Sequence, residues 1–173
     1  LEGVTGTNGL IIPPDEYWPR MREICDKYGI LLISDEVMSG WGRTGEWFAV
    51  DNWNVTPDII TTAKGITSGY VPLGAVIVRD HIAKYFDSHM LSAGLTYNGH
   101  ALACAAALAT IAAYEEEKIF DNAKKVGKYL GELLEDLKKK HASIGDVRYI
   151  GMFTAMELVK NRETKEPMDL TAL

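Results

Sequence analysis

Residues 30–34 (ILLIS) constrain the fold more than any other stretch of this chain. Four apolar residues and a serine stand between Gly29 and the charged pair Asp35-Glu36. A short, partly β-branched run with such boundaries reads as a buried parallel strand. An amphipathic helix is expected just before it. Asp15 and Glu16 open that helix, and Tyr17, Met21, Ile24 and Tyr28 recur on one face. Pro19 lies in the first turn, where its missing N–H costs least. Gly29 suits the left-handed residue that ends a helix. Helix, tight turn and buried strand form half of a crossover unit, so α/β architecture is expected.

The same punctuation organises the rest. Residues 5–14 (TGTNGLIIPP) and 39–45 (SGWGRTG) read as loops. Residues 58–62 (DIITT) form a second expected strand, with Lys64 just beyond it. Gly65, Gly69 and Pro72 make a further loop, and residues 74–78 (GAVIV) a third strand. Residues 102–114 are alanine-dominated and read as a closely packed, buried helix. Ile119, Ala123, Val126, Leu130, Leu133 and Leu137 then mark one stripe of a long amphipathic helix. Lys138 to Lys140 solvate its end. Residues 143–145 are expected to be a hinge, followed by short strands at 147–150 and 152–159. The division is therefore 1–142 for one domain and 143–173 for the beginning of another. The chain starts Leu1-Glu2-Gly3 without an initiator Met, and residues 169–173 suggest no terminal element. It reads as a piece of a longer protein.

Composition removes several classes of function. Apolar residues are 47% and charged residues 24%, the balance of a folded globular chain rather than a disordered one. The net charge of −6 argues against a general binder of nucleic acid or anionic membrane, which would need a basic face. Cys25 and Cys104 are far apart and form neither a disulfide framework nor a CxxC pair, so a reducing, cytoplasmic compartment is expected. The longest apolar run, residues 101–113, is mostly alanine and falls short of the roughly 20 residues that span a bilayer.

In open α/β sheets, ligands bind beyond the carboxyl ends of the strands. Asp35 and Glu36 follow the first strand there, and Lys64 follows the second. Asp35 alone reads equally well as a carboxylate capping a helix, Lys64 alone as a solvent lysine, and Glu36 as structural. Together, an acid and an amine flanked by apolar runs and glycines suit one kind of chemistry. A lysine beside apolar walls becomes a nucleophile toward carbonyls. Pyridoxal phosphate (PLP) takes such a lysine as a Schiff base and an acid on its pyridinium nitrogen.

The stretch LLISDEVMSGWGRTGEWFAVDNWNVTPDIITTAKGITSGYVPLGAVIV resembles the cofactor-attachment region of class III (ω-amino-acid:pyruvate type) aminotransferases. The DEV, GWGRTG, PDI, AKG and PLGAVIV motifs occur in the family's order and spacing. VTGTNGLIIPPDEYWPRMREICDKYGILLI resembles the loop and helix before it, and GLTYNGHALACAAALA the phosphate-contacting turn and helix after it. The resemblance implies part of the large domain of the aspartate-aminotransferase-like (fold type I) PLP-dependent transferase fold. That fold has a mixed, mostly parallel sheet with helices on both faces, and the start of a small C-terminal α+β domain follows. It implies that Lys64 forms the Schiff base and moves the substrate proton, that Asp35 pairs with the pyridine nitrogen, and that Val37 packs on the ring. Thr96 would bond the phosphate of a neighbouring subunit's cofactor in a homodimer. The implied partners are an amino donor and a 2-oxo acid acceptor, with pyruvate favoured by the TYNGH turn. Arg43 reads as a loop-structural residue, and His100 as packing or bonding locally near the turn. The family usually carries Glu-Pro where this chain has Glu2-Gly3, and proline is common where Ala101 stands.

Other readings need features the chain lacks. Asp35-Glu36 also fits the Walker B pattern of nucleotide hydrolases, but no GxxxxGK[ST] loop accompanies it. His81, His89, His100 and His141 have no zinc-site spacing, and no GxSxG is present. A catalytically inert member of the fold would be expected to lose the lysine, which is retained; the isolated piece is nevertheless expected to be inactive.

Overall fold

The computed structural model describes residues 1–169. The final four residues, where no terminal element is expected, lie outside the described residues. Helix α1 (Tyr17–Tyr28) leads into strand β1 (Ile33–Asp35), which pairs in parallel with β2 (Ile59–Thr62). Strand β3 (Ala75–Val78) runs antiparallel on the far side of β2. Short α2 (Asp80–Tyr85), α3 (Ala101–Glu116) and long α4 (Ile119–Lys140) follow. Strands β4 (Ile144–Ile150), β5 (Phe153–Asn161) and β6 (Glu166–Pro167) make a separate antiparallel sheet.

Gly29 ends α1 in the left-handed conformation (φ 63°), as its position predicts. The buried face of α1 differs from the expected stripe. Trp18 and Cys25 are buried, whereas Tyr28 is exposed and Tyr17, Met21 and Ile24 are only half-buried. The indole decides this rotation. Trp18 packs with Leu32, Val50 and Val55, and its Nε1 donates to the Gly3 carbonyl at 2.9 Å.

The first strand also departs from expectation. It starts at Ile33, and residues 30–34 alternate: Leu32 and Ser34 are buried, while Ile30, Leu31 and Ile33 are exposed. One side of β1 is covered and the other is open. A second anchor sits at the opposite end of the strands, where buried Asp58 accepts from Leu32 N and from Arg22 Nη1, each at 2.8 Å. Burial alone would raise the Asp58 pKa, but these hydrogen bonds and the charges of Arg22 and Arg79 hold it below the usual carboxylate range.

Two other expectations are corrected. Helix α3 buries only Ala103 and Ala107 and leaves Leu102 and Leu108 exposed, because one face alone meets the rest of the chain. Residues 144 and 145 are not a hinge: they begin β4, where Ile144 is buried and Gly145 lies against Val159. Among the described residues no helix is long and apolar enough to cross a membrane.

Helix α4 buries Ala123, Gly127 and Gly131, a line that shares only Ala123 with the predicted stripe, and its two glycines meet the β4–β5 hairpin. A Cβ on Gly127 would stand 2.1 Å from the Gly151 carbonyl oxygen, and one on Gly131 would stand 2.2 Å from the Tyr149 ring. The glycines set the distance between helix and sheet. Gly127→Ala therefore puts two effects in opposition. Helix propensity favours alanine by about 1 kcal/mol, while overpacking against backbone costs about 1–3 kcal/mol. At 2.1 Å from a backbone atom the clash wins. The substitution is expected to lower the urea midpoint of unfolding, and an unchanged or higher midpoint would show that the hairpin is not seated on this glycine.

Candidate active site

The site is built at the carboxyl edge of the parallel pair β1–β2. Alternation along β1 sends Ser34 and Glu36 inward and Asp35 outward. The Glu36 carboxylate is fully buried and accepts four hydrogen bonds. Oε1 takes Ser34 Oγ and Val50 N at 3.1 Å each; Oε2 takes Ser39 Oγ at 2.6 Å and Ala49 N at 2.9 Å. Ala49 and Val50 open a 3-10 turn over Ala49–Trp53, whose first N–H groups have no partner within the turn. Burial pushes the Glu36 pKa up, and the four donors pull it partly back.

With Glu36 fixed, its neighbours are fixed too. Glu36 N donates to the Thr61 carbonyl at 2.8 Å, carrying the β1–β2 pairing one residue further. Asp35 Oδ1 accepts from Val37 N at 3.0 Å, which sets the carboxylate at the strand end. Asp35 is exposed and Val37 half-buried. Asp35 lies opposite Thr61 in the register, three positions before Lys64. The register therefore puts both residues at the carboxyl edge of the pair.

Lys64 has a left-handed backbone (φ 49°), which costs a non-glycine residue about 1–2 kcal/mol. It begins a 3-10 turn over Lys64–Thr67 and lines a cavity of about 620 Å³ with Ala63, Thr67, Val71, Pro72 and Leu73. Among the described residues its amine has no ion-pair partner, and neither does the Asp35 carboxylate. Asp35, Val37 and Thr96 are not walls of that cavity. Thr96 lies in an exposed turn just before α3. Next to it, Tyr97 and His100 line a second cavity that shares Val71, Pro72 and Leu73 with the first. The register puts Asp35 and Lys64 just past the carboxyl ends of adjacent strands, with Val37 two residues after Asp35, while Thr96 lines neither cavity.

His100 is the N-cap of α3, its Nδ1 accepting from Ala103 N at 3.4 Å. Ala101 is the first helical residue, a position that suits proline equally well. The Gly3 departure has a steric counterpart. A Cβ at residue 3 would stand 2.7 Å from both Ala49 Cβ and Glu36 Oε1, so glycine fits beneath the buried carboxylate. Arg43 braces the hairpin through its backbone, its carbonyl accepting from Met152 N and Phe153 N at 2.8 and 3.0 Å.

Two aromatic residues near Lys64 escaped the sequence reading. Trp41 Nε1 donates to Thr62 Oγ1, and the Tyr114 hydroxyl donates to the Gly65 carbonyl at 2.8 Å. Their rings stack 6.1 Å apart. The signals were a tryptophan between two glycines and a tyrosine closing an alanine-rich helix, neither of which reveals a partner.

The carboxyl edge of a parallel strand pair is where α/β folds bind their ligands, and here it carries an amine and an acid. The class-III aminotransferase family model matches residues 1–172, and the chain belongs to that family. It is 46% identical over 167 residues to the putrescine–pyruvate aminotransferase of Pseudomonas aeruginosa, covering 95% of this chain and 36% of that protein. It is 43% identical over 175 residues to the taurine–pyruvate aminotransferase of Bilophila wadsworthia, covering 97% of this chain and 38% of the relative. The crystal structure of taurine:2-oxoglutarate aminotransferase from Bifidobacterium kashiwanohense, in complex with PLP and glutamate, superposes with a TM-score of 0.93 at 50% identity, over 96% of this chain and 37% of that one. The fold is thus that of the fold type I transaminases, and this chain spans well under half the length of these relatives. The nucleotide-hydrolase reading of Asp35-Glu36 finds no support, since Glu36 faces the core and its oxygens are occupied by four protein donors.

The two backbone donors reach different oxygens of Glu36, so Glu36→Gln must turn its amide NH₂ toward one of them. Leaving a buried donor unpaired costs about 1–3 kcal/mol. Thermal unfolding of the variant should show a corresponding loss. Wild-type stability would mean that the carboxylate is not needed as a double acceptor.

Proposed function

We propose that the polypeptide carrying this chain is a PLP-dependent aminotransferase moving an amino group from an amine or ω-amino acid to a 2-oxo acid, with pyruvate as the acceptor. The observation that carries this reading is the placement of Lys64 and Asp35 at one edge of adjacent parallel strands, each without a charged partner among the described residues. The names of the relatives support the donor and acceptor classes: putrescine and taurine as donors, and a 2-oxo acid, pyruvate or 2-oxoglutarate, as acceptor.

The donor set fits PLP. The exposed acid at residue 35 suits a protonated ring nitrogen, the half-buried Val37 side chain suits a ring face, and the amine of Lys64 suits covalent attachment. When bound, the cofactor supplies an electron sink that lets the donor's Cα–H bond ionise. The chain's own residues do the rest. Asp35 holds the proton on the ring nitrogen by its charge. Lys64, once its amine is free, would move the proton from the donor's Cα to the cofactor's C4′, and in the opposite direction in the second half-reaction. Val37 fixes the ring plane. Thr96, which lines neither cavity, serves the phosphate of a second subunit's site in a homodimer. Residues 1–142 belong to the cofactor-binding large domain and 143–173 open the small one, a division supported by the separate β4–β6 sheet. The protein works in the cytoplasm.

Treating the full-length protein with pyridoxal phosphate and borohydride should label Lys64. Label spread over many lysines would overturn the assignment. Lys64→Ala is expected to abolish turnover, measured as pyruvate-dependent alanine formation; a variant that still turns over removes Lys64 from the mechanism. Asp35→Asn should raise the barrier by about 3 kcal/mol, roughly a hundredfold in kcat. An unchanged kcat would place the charge partner elsewhere.

A further inference from the structure

We infer that Trp41 and Tyr114 are positioning residues that clamp the backbone on both sides of Lys64 and so aim its amine. The inference rests on the reading of Lys64 as the attachment and proton-transfer residue.

The clamp has two jaws. Before Lys64, the Thr62 hydroxyl is held by the Trp41 indole N–H, while Thr62 is also paired with Ala75 in the sheet. After Lys64, the Gly65 carbonyl is held by the Tyr114 hydroxyl at 2.8 Å and by Ser68 N at 3.0 Å. Trp41 closes over Gly65 so tightly that a Cβ there would stand 2.5 Å from Trp41 Cβ. The jaws also brace each other. The indole and phenol rings stack at 20° between planes, and Phe120 of α4 stacks on Tyr114 from 5.6 Å. Burial pushes the Tyr114 phenol pKa up, with Ser68 and Arg43 pulling partly back, so the hydroxyl remains a protonated donor near neutral pH.

A left-handed lysine relaxes unless its neighbours are over-determined. Two hydrogen bonds and one steric lid fix residues 62 and 65, leaving the Lys64 backbone one conformation. Neither aromatic residue lines the Lys64 cavity, so neither is assigned contact with the reacting atoms. Their effect passes through the backbone. Displacing a reacting group by a fraction of its bond reach costs rate rather than affinity.

The test uses the full-length holoenzyme and its cofactor-stripped form. Tyr114→Phe removes one oxygen and keeps the ring stack. It should lower kcat roughly tenfold, leave the amine donor's KM within about twofold and raise the isotope effect from a Cα-deuterated donor. The stripped protein should also label more slowly at Lys64 with pyridoxal phosphate and borohydride. A general loss of stability would not move the isotope effect. If Tyr114→Phe matches the wild type in labelling rate and isotope effect, the clamp is refuted while the aminotransferase reading stands. If the wild type itself does not label at Lys64, the underlying reading fails and the inference falls with it. Should Tyr114→Phe fail to fold, Thr62→Val opens the other jaw and is held to the same two measurements, slower labelling supporting the clamp and wild-type labelling overturning it.

Discussion

The buried carboxylate of Glu36 is the interaction on which the rest of this structure depends. Taking a carboxylate out of water is expensive, and it is tolerated only when its oxygens are met by donors. Here two serine hydroxyls and two backbone N–H groups meet it. Those N–H groups belong to the first turn of a 3-10 segment that would otherwise bury unpaired donors. Each side therefore resolves the other's problem. The end of β1 is tied to residues 49 and 50, and the 39–47 loop between them is closed at its base. Because side chains alternate, fixing Glu36 inward sends Asp35 outward and brings Val37 to the same edge.

The loop closed in this way carries Trp41 and Trp47 into an aromatic cluster with Phe48, Tyr114 and Phe120. That cluster joins the loop to α3 and α4. Arg43, in the same loop, receives the β4–β5 hairpin through its carbonyl. The hairpin can approach because Gly127 and Gly131 leave α4 without side chains along the contact. One loop thus links the strand end, both long helices and the second sheet. Its glycines and aromatics belong to a single packing solution.

Much of this was legible in the chain, for identifiable reasons. Helix α1 ended at Gly29 because a left-handed position favours glycine, and β2 was followed by Lys64 because Pro57 and Gly65 punctuate it. The order of acid, loop and lysine carried the chemistry. Other features depend on packing that periodicity cannot see. A regular stripe at Tyr17, Met21, Ile24 and Tyr28 lost to Trp18, since one large side chain with a bonded indole outweighs four smaller contacts. The continuous apolar run at 30–33 proved alternating because only one side of β1 is covered. Alanine-rich α3 looked buried by composition, yet Leu102, Leu108 and the preceding Met90, Leu91, Leu95 and Tyr97 are all exposed. An apolar sequence records burial in the whole protein, and this chain spans well under half the length of its relatives.

Backbone strain supplies an independent argument about where the chemistry lies. Seven non-glycine residues among those described have positive φ, and three of them, Trp41, Lys64 and Ser68, meet at one turn. Trp41 covers Gly65, Lys64 precedes it, and Ser68 N bonds its carbonyl. Strain of this kind relaxes unless packing prevents it, and it gathers where geometry matters more than stability. Leu10, Asn54, Lys118 and Lys165 are scattered by comparison, each in its own turn. A structural lysine at the end of β2 would need no such arrangement, since a residue with ordinary backbone angles closes a strand at lower cost. The unfavourable backbone around residue 64, to which Ser68 contributes as the left-handed cap of the 3-10 turn, is what the proposed role of this lysine would require.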